Sequence, residues 1–153
     1  MAWEDAGGGG TDISVRAYNN AAIAVANATS VPMTFNNESF DTNCMHATTG
    51  CCTSRLIAKT AGKYIITGTV RWQTNNTGVR NIWVKLNGSS TLEQLQVDGD
   101  IADNPMQNIS VIHNLDACDY VELIAYQTSG GSLNVETAGV NSSPTMSMAK
   151  ILG

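Results

Sequence analysis

Residues 63–72, KYIITGTVRW, alternate strictly. Tyr64, Ile66, Gly68, Val70 and Trp72 fall on one side, and Ile65, Thr67, Thr69 and Arg71 on the other. A β-strand turns successive side chains to opposite faces, so this order seats one row of apolar groups on a core. A helix would scatter the same residues around its axis. The period recurs. In NIWVKLNG, Ile82, Val84 and Leu86 face one way, with Trp83 and Lys85 opposite. In NISVIHNL, Ile109, Val111, His113 and Leu115 alternate with Ser110, Ile112 and Asn114. In DYVELIAYQ, Val121, Leu123 and Ala125 alternate with Tyr120, Glu122, Ile124 and Tyr126.

Between these runs lies turn chemistry: Ala61-Gly62, Asn75-Asn76-Thr77-Gly78, Asn87-Gly88-Ser89-Ser90, Asn104-Pro105, Ser129-Gly130-Gly131 and Ser142-Ser143-Pro144. No stretch has helical periodicity with caps; STLEQLQV reads at most as one short turn, and Cys118 as a small buried residue. Many short strands at this spacing predict an all-β antiparallel sandwich or jelly roll. Its 153 residues suffice for one domain with its own core. The expected division is an N-terminal arm, 1–12, and a jelly-roll domain, 13–153.

Several strands are apolar on both faces. Tyr120, Ile124 and Tyr126 oppose Val121 and Leu123, and Trp83 opposes Ile82 and Val84. A sheet with one wet face alternates more cleanly. The second face is therefore expected to pack on another copy of the chain, with Trp83, Tyr120, Ile124 and Tyr126 as interface residues.

Composition narrows the function. Charged residues are 14% of the chain against roughly 25% in an average domain, and the net charge is -5 with Lys and Arg scattered. A nucleic-acid binder needs clustered positive charge to displace counterions, so neither nucleic acid nor an anionic membrane is an expected partner. No apolar run approaches a membrane-spanning length, and no basic region followed by an apolar core reads as a secretory leader.

The arm, MAWEDAGGGG, sets Trp3 beyond the four glycines 7–10. Glycines leave such an arm free to depart at any angle. Trp3 offers an apolar anchor with one polar handle, and Glu4 and Asp5 suit basic groups on a partner.

Four motifs in order carry a resemblance: MTFNNESFDTNCMH, SRLIAKTAGKYIITGTVRW, LDACDYVELIAYQTSGGSLNV and SPTMSMAKILG. Together, over about residues 13–153, they resemble the complement globular-head and tumour necrosis factor-like jelly-roll family, in its phage and bacterial versions. The matching positions are Phe40 and Asp41; Ala61, Gly62 and Tyr64; Asp119, Val121 and Leu123; and Met146, Met148 and Gly153. Cys118 stands where the family usually has Gly, which puts the tight turn before Asp119 in question. The resemblance implies about ten strands and a compact homotrimer. It does not fix a function, because the fold serves many partners.

No catalytic constellation is present. The only histidines are His46 and His113, and there is no Gly-x-Ser-x-Gly elbow, phosphate loop or HExxH helix. CMHATTGCC gathers Cys44, His46, Cys51 and Cys52, but in no standard zinc spacing, and adjacent cysteines do not easily place both sulfurs on one tetrahedral ion. A disulfide from Cys44 to Cys51 or Cys52 and free thiols both remain open. VDGDIADNP offers Asp98, Asp100 and Asp103 as oxygen ligands for calcium, within ordinary turn formers and without EF-hand spacing. No cofactor is assigned and no enzymatic activity is expected.

These features point to a structural protein of a phage virion. The favoured reading is a homotrimeric capsid decoration protein, made in the host cytoplasm. Its arm would hold the major capsid protein or another lattice protein. The alternative is a receptor-binding head at a tail or fibre tip. A third class, a secreted bacterial lectin-like or adhesive domain, fits the fold but not the expected lack of a secretory leader.

Overall fold

A computed structural model of the protein describes residues 10–99, 105–139 and 141–151. Its strands are β1 (Ser14–Tyr18), β2 (Ile23–Val25), β3 (Val31–Pro32), β4 (Asn37–Asp41), β5 (Arg55–Ile57), β6 (Gly62–Trp72), β7 (Val79–Leu86), β8 (Ser90–Asp98), β9 (Met106–Leu115), β10 (Tyr120–Gln127), β11 (Leu133–Glu136) and β12 (Thr145–Lys150). Twelve strands replace the ten expected; the surplus is in short pieces such as β2, β3 and β5, too brief to show a period. No helix occurs among the described residues.

The strands form two antiparallel sheets. In the first, β4, β1, β12 and β6 lie side by side, and β9 follows the far edge of β6. β12 and then β11 share the near edge of β6, with β2 beyond β11. In the second, β8, β7 and β10 are neighbours, and β5 and β3 divide the far edge of β10.

The alternation explains the stacking. Val15, Ala17, Tyr64, Ile66, Val70, Trp72, Met146 and Met148 point inward from the first sheet, and Leu56, Ile82, Val84, Val121, Leu123 and Ala125 from the second, all buried. Gly68 occupies an inward position because the sheets approach too closely there for a side chain: a Cβ would meet Leu123 Cδ1 at 2.8 Å. Asn87 and Gly88 turn the β7–β8 hairpin with φ of 51° and 72°. That double left-handed turn matches the twist of the flanking strands.

Two local expectations are corrected. STLEQLQV lies in β8 rather than in a helical turn. The β7–β8 register shifts between Val84, paired with Glu93, and Lys85, paired with Thr91, so Leu92 is the extra residue of a bulge. Cys118 is exposed rather than buried. It holds the turn before Asp119 in the left-handed region, φ 74°, where a Gly would be at ease, so the turn survives the substitution.

Most polar groups in the core find partners; Arg80 Nε and Asn81 Oδ1 are buried without one. The Trp72 Nε1–H donates to Gln107 Oε1 at 2.6 Å, and Gln107 Nε2 donates to the carbonyls of Leu95 at 3.1 Å and Arg80 at 3.4 Å. Arg80 is fully buried. Its guanidinium donates to the carbonyls of Asn75, Thr77 and Val79 at 3.0, 2.9 and 3.1 Å, which ties down the β6–β7 loop.

Candidate functional site

Three surfaces carry side chains that core packing does not consume. The first is the outer face of the first sheet. Register places Ser14, Ala149, Ile65 and Ile112 in one row across β1, β12, β6 and β9. The next row runs Phe40, Arg16, Ser147, Thr67 and Ser110, and the third Tyr18, Thr145, Thr69 and Asn108. Most of these side chains are small, so the face is flat. Three are large, apolar and exposed: Phe40 at 47%, Ile65 at 42% and Ile112 at 60%. A shallow apolar groove lies between Phe40, Ile65 and Ala149. The second row's cation, Arg16, donates to the Asn141 carbonyl at 3.2 Å.

The second surface is the outer face of the second sheet, and it carries all four residues expected at a copy interface. They engage one another and nearby charges. The Trp83 and Tyr126 rings lie 5.7 Å apart, and Lys85 Nζ sits 5.8 Å from the Trp83 ring. The Arg55 guanidinium stacks 4.1 Å from the Tyr120 ring and pairs with Glu122 at 3.6 Å, while the Ser54 hydroxyl donates to Glu122 at 2.7 Å. Ile124 is only 5% exposed in the single chain, so a neighbouring copy would gain almost nothing from it. Trp83, Tyr120 and Tyr126 stay half-buried in the single chain.

The third surface is the connection between β4 and β5. Asp41 accepts hydrogen bonds from the backbone N–H groups of Asn43, Met45 and His46 at 3.0–3.1 Å. The His46 side chain is buried, with Nδ1 2.8 Å from Glu38 Oε1 and Nε2 3.1 Å from the Thr53 carbonyl. Both ring nitrogens therefore have partners within the chain. His46 is thereby occupied, and Cys44, Cys51 and Cys52 are free thiols. No group of three His, Cys, Asp or Glu residues placed to hold a metal ion occurs among the described residues.

The remaining candidates are located plainly. Asp98 is exposed at the end of β8, while Asp100 and Asp103 lie outside the described residues. So do Trp3, Glu4 and Asp5 of the arm. His113 is half-buried on β9, beside Tyr64 in register. Sequence reasoning passed over Ile65 and Ile112 as surface features. Their signal was present: each is the apolar exception on an otherwise polar side of its strand.

No protein-family model and no curated protein matches the sequence. Solved structures do match its fold. The Eiger TNF structure from S. frugiperda superposes with a TM-score of 0.69 at 11% identity, covering 94% of each chain. Murine APRIL gives 0.67 at 10% identity, over 92% of this chain and 99% of that one. The globular domain of zebrafish complement 1qA gives 0.62 at 13% identity, over 92% and 98%. At these identities the likeness shows the fold: a jelly roll of the tumour necrosis factor and complement-head kind.

Proposed function

We propose that this protein is a non-enzymatic structural and binding head that works as a homotrimer, its copies packed through the outer face of the first sheet. The observation that carries this reading is the exposure of Phe40, Ile65 and Ile112 on a flat face of small side chains. Small residues let two sheets approach, and the isoleucines and Phe40 supply apolar area to remove from water. In this reading the face takes the role expected of Trp83, Tyr120, Ile124 and Tyr126. The second sheet and the loops then point outward, free for another partner.

Within that reading the trimer sits on a phage virion as a capsid decoration protein. What supports this is sequence: the acidic balance, the lack of a catalytic constellation, and an arm with Trp3, Glu4 and Asp5 beyond the four glycines. The aromatic and cationic row of Trp83, Tyr126, Tyr120 and Arg55 favours the alternative, a receptor-binding head, because such side chains are enriched where proteins recognise partners.

Light scattering on the full chain tests the trimer: about three times the 16.2 kDa chain mass is expected. Ile65→Glu with Ile112→Glu should give a folded monomer. A wild-type monomer at micromolar concentration, or a trimer unmoved by the double substitution, overturns the proposed face. Deletion of residues 1–10 should leave the trimer intact and weaken attachment to particles; undiminished attachment overturns the role of the arm.

A further inference from the structure

The β4–β5 connection holds more chemistry than its fold requires. Its frame is fixed: Asp41 gathers three backbone amides, Met45 is buried in the core, and the Thr53 carbonyl accepts the Phe35 N–H at 2.8 Å while facing His46. On this frame Cys51 is exposed and Cys52 half-buried. Their sulfurs are 3.0 Å apart, within hydrogen-bonding contact. Arg55, the first residue of β5, brings Nη1 to 3.9 Å from Cys52 Sγ and donates its backbone N–H to the Cys52 carbonyl at 3.1 Å. Two thiols in contact beside a cation, in a turn anchored on both sides, are a feature that neither the core nor a copy interface uses.

We propose that Cys51 and Cys52 form a reversible dithiol modification site, which takes a thiophilic group across both sulfurs and closes to a vicinal disulfide by exchange with a soluble low-molecular-weight disulfide. Cys51 attacks first. It is the more exposed thiol of the pair. Cys52 keeps its proton longer: its thiol is pushed up from its ordinary value, first by the hydrogen bond to Cys51, then by burial and by the charge of Cys51, with Arg55 opposing. The Cys51 thiolate attacks one sulfur of the soluble disulfide, that S–S bond breaks, and one thiolate leaves with the electron pair. Cys52 then gives up its proton and attacks Cys51 Sγ, expelling the second thiolate. The two protons released by the cysteines end on the two leaving thiolates. The protein is oxidised by two electrons and the soluble disulfide becomes two thiols. Adjacent Cα atoms are about 3.8 Å apart, short of the roughly 4.4–6.8 Å that a disulfide prefers, so the product is strained and readily reduced. Cys44 and Cys118, each exposed, are the internal controls.

The test uses the reduced full-length chain and two probes. Phenylarsine oxide, a trivalent arsenical, should add once per chain and consume two thiols. Peptide mapping of the wild-type adduct should find it on Cys51 and Cys52. Cys51→Ser or Cys52→Ser should raise the half-saturating concentration roughly a hundredfold, because the second attachment is lost. Cys44→Ser and Cys118→Ser should leave it unchanged. Oxidised glutathione should bring the wild type to a product two hydrogens lighter, linked Cys51 to Cys52, and should stop at one glutathione on Cys51 in Cys52→Ser. The proposal is overturned if mapping puts the arsenical elsewhere, if the disulfide joins Cys44 to Cys51 or Cys52, or if the wild type stops at single glutathione adducts.

Discussion

Ile65 and Ile112 stand directly opposite each other across the β6–β9 ladder, and both point away from the core with 42% and 60% of their surface exposed. Fully burying an isoleucine is worth about 1.5–3 kcal/mol, so the exposed part of each leaves roughly half of that for the proposed association through this face. Ile112→Thr keeps a strand-favouring, β-branched residue while removing apolar area. The wild-type melting temperature should rise with protein concentration, as it does when folding is linked to assembly. In Ile112→Thr the assembly midpoint should move to roughly tenfold or higher concentration. Calorimetry over a dilution series reads both; a concentration-independent wild type would remove the pair's role.

Trp72 and Gln107 form a buried polar contact in the core. Gln107 is 2% exposed and satisfies three groups at once: the Trp72 indole N–H and the carbonyls of Leu95 and Arg80. Gln107→Leu fills similar space but leaves the Trp72 indole N–H without its acceptor and removes the side-chain donor to both carbonyls, which should cost about 1–3 kcal/mol in denaturant unfolding. Trp72→Phe removes the indole donor. The double substitution should therefore cost less than the sum of the singles, the mark of a direct contact. Strict additivity would mean that the contact contributes nothing.

How far these features were legible in sequence depends on the local geometry. The alternation of residues 63–72 maps directly onto β6, because an unbroken strand preserves its period. β8 was obscured by its bulge. The extra residue, Leu92, puts Leu92 and Leu95 three apart and both against the core, which imitates helical spacing. The outer face of the second sheet was legible only in part. Counting apolar residues on both faces of β7 and β10 could not show that Arg55 stacks on Tyr120, that Lys85 sits by Trp83, or that Ile124 is buried within the chain. The contact between Cys51 and Cys52 was invisible, because adjacency in sequence does not fix where two sulfurs point.

Cys118 keeps a left-handed turn, φ 74°, without the glycine such a turn favours. Its N–H donates to the Ala58 carbonyl at 2.8 Å, so the backbone is held in place. A Cβ in this region costs about 1–2 kcal/mol, partly offset by the greater entropy of an unfolded glycine. Cys118→Gly should therefore stabilise the protein by about 1 kcal/mol. Cys118→Val, β-branched at the same φ, should destabilise it. Urea midpoints read both substitutions; a Gly variant weaker than wild type would show that the thiol contributes more than the strain costs.

Asp119 latches that turn to the β7–β8 hairpin. Asn87 Nδ2 donates to one carboxylate oxygen at 2.8 Å, and the Asp116 backbone N–H donates to the other at 2.8 Å. Asn87 Oδ1 in turn accepts the Tyr120 N–H at 3.0 Å, at the start of β10. The Asn87 hydrogen bond, followed by that of Asp116, holds the Asp119 carboxyl below the usual carboxylate range. A depressed folded-state pKa contributes stability that is fully present above the ordinary value of about 4 and is lost as pH falls through the folded-state value. Asp119 lies near the surface, so solvent screening keeps the contribution to about 1 kcal/mol or less. Asp119→Asn should unfold at lower denaturant than wild type at neutral pH, and that gap should close in acid, where the wild-type carboxyl is itself protonated. Denaturant titrations of both proteins at neutral and acid pH measure the gap. An equal gap at both would assign the loss to the shape of the turn rather than to the charge of Asp119.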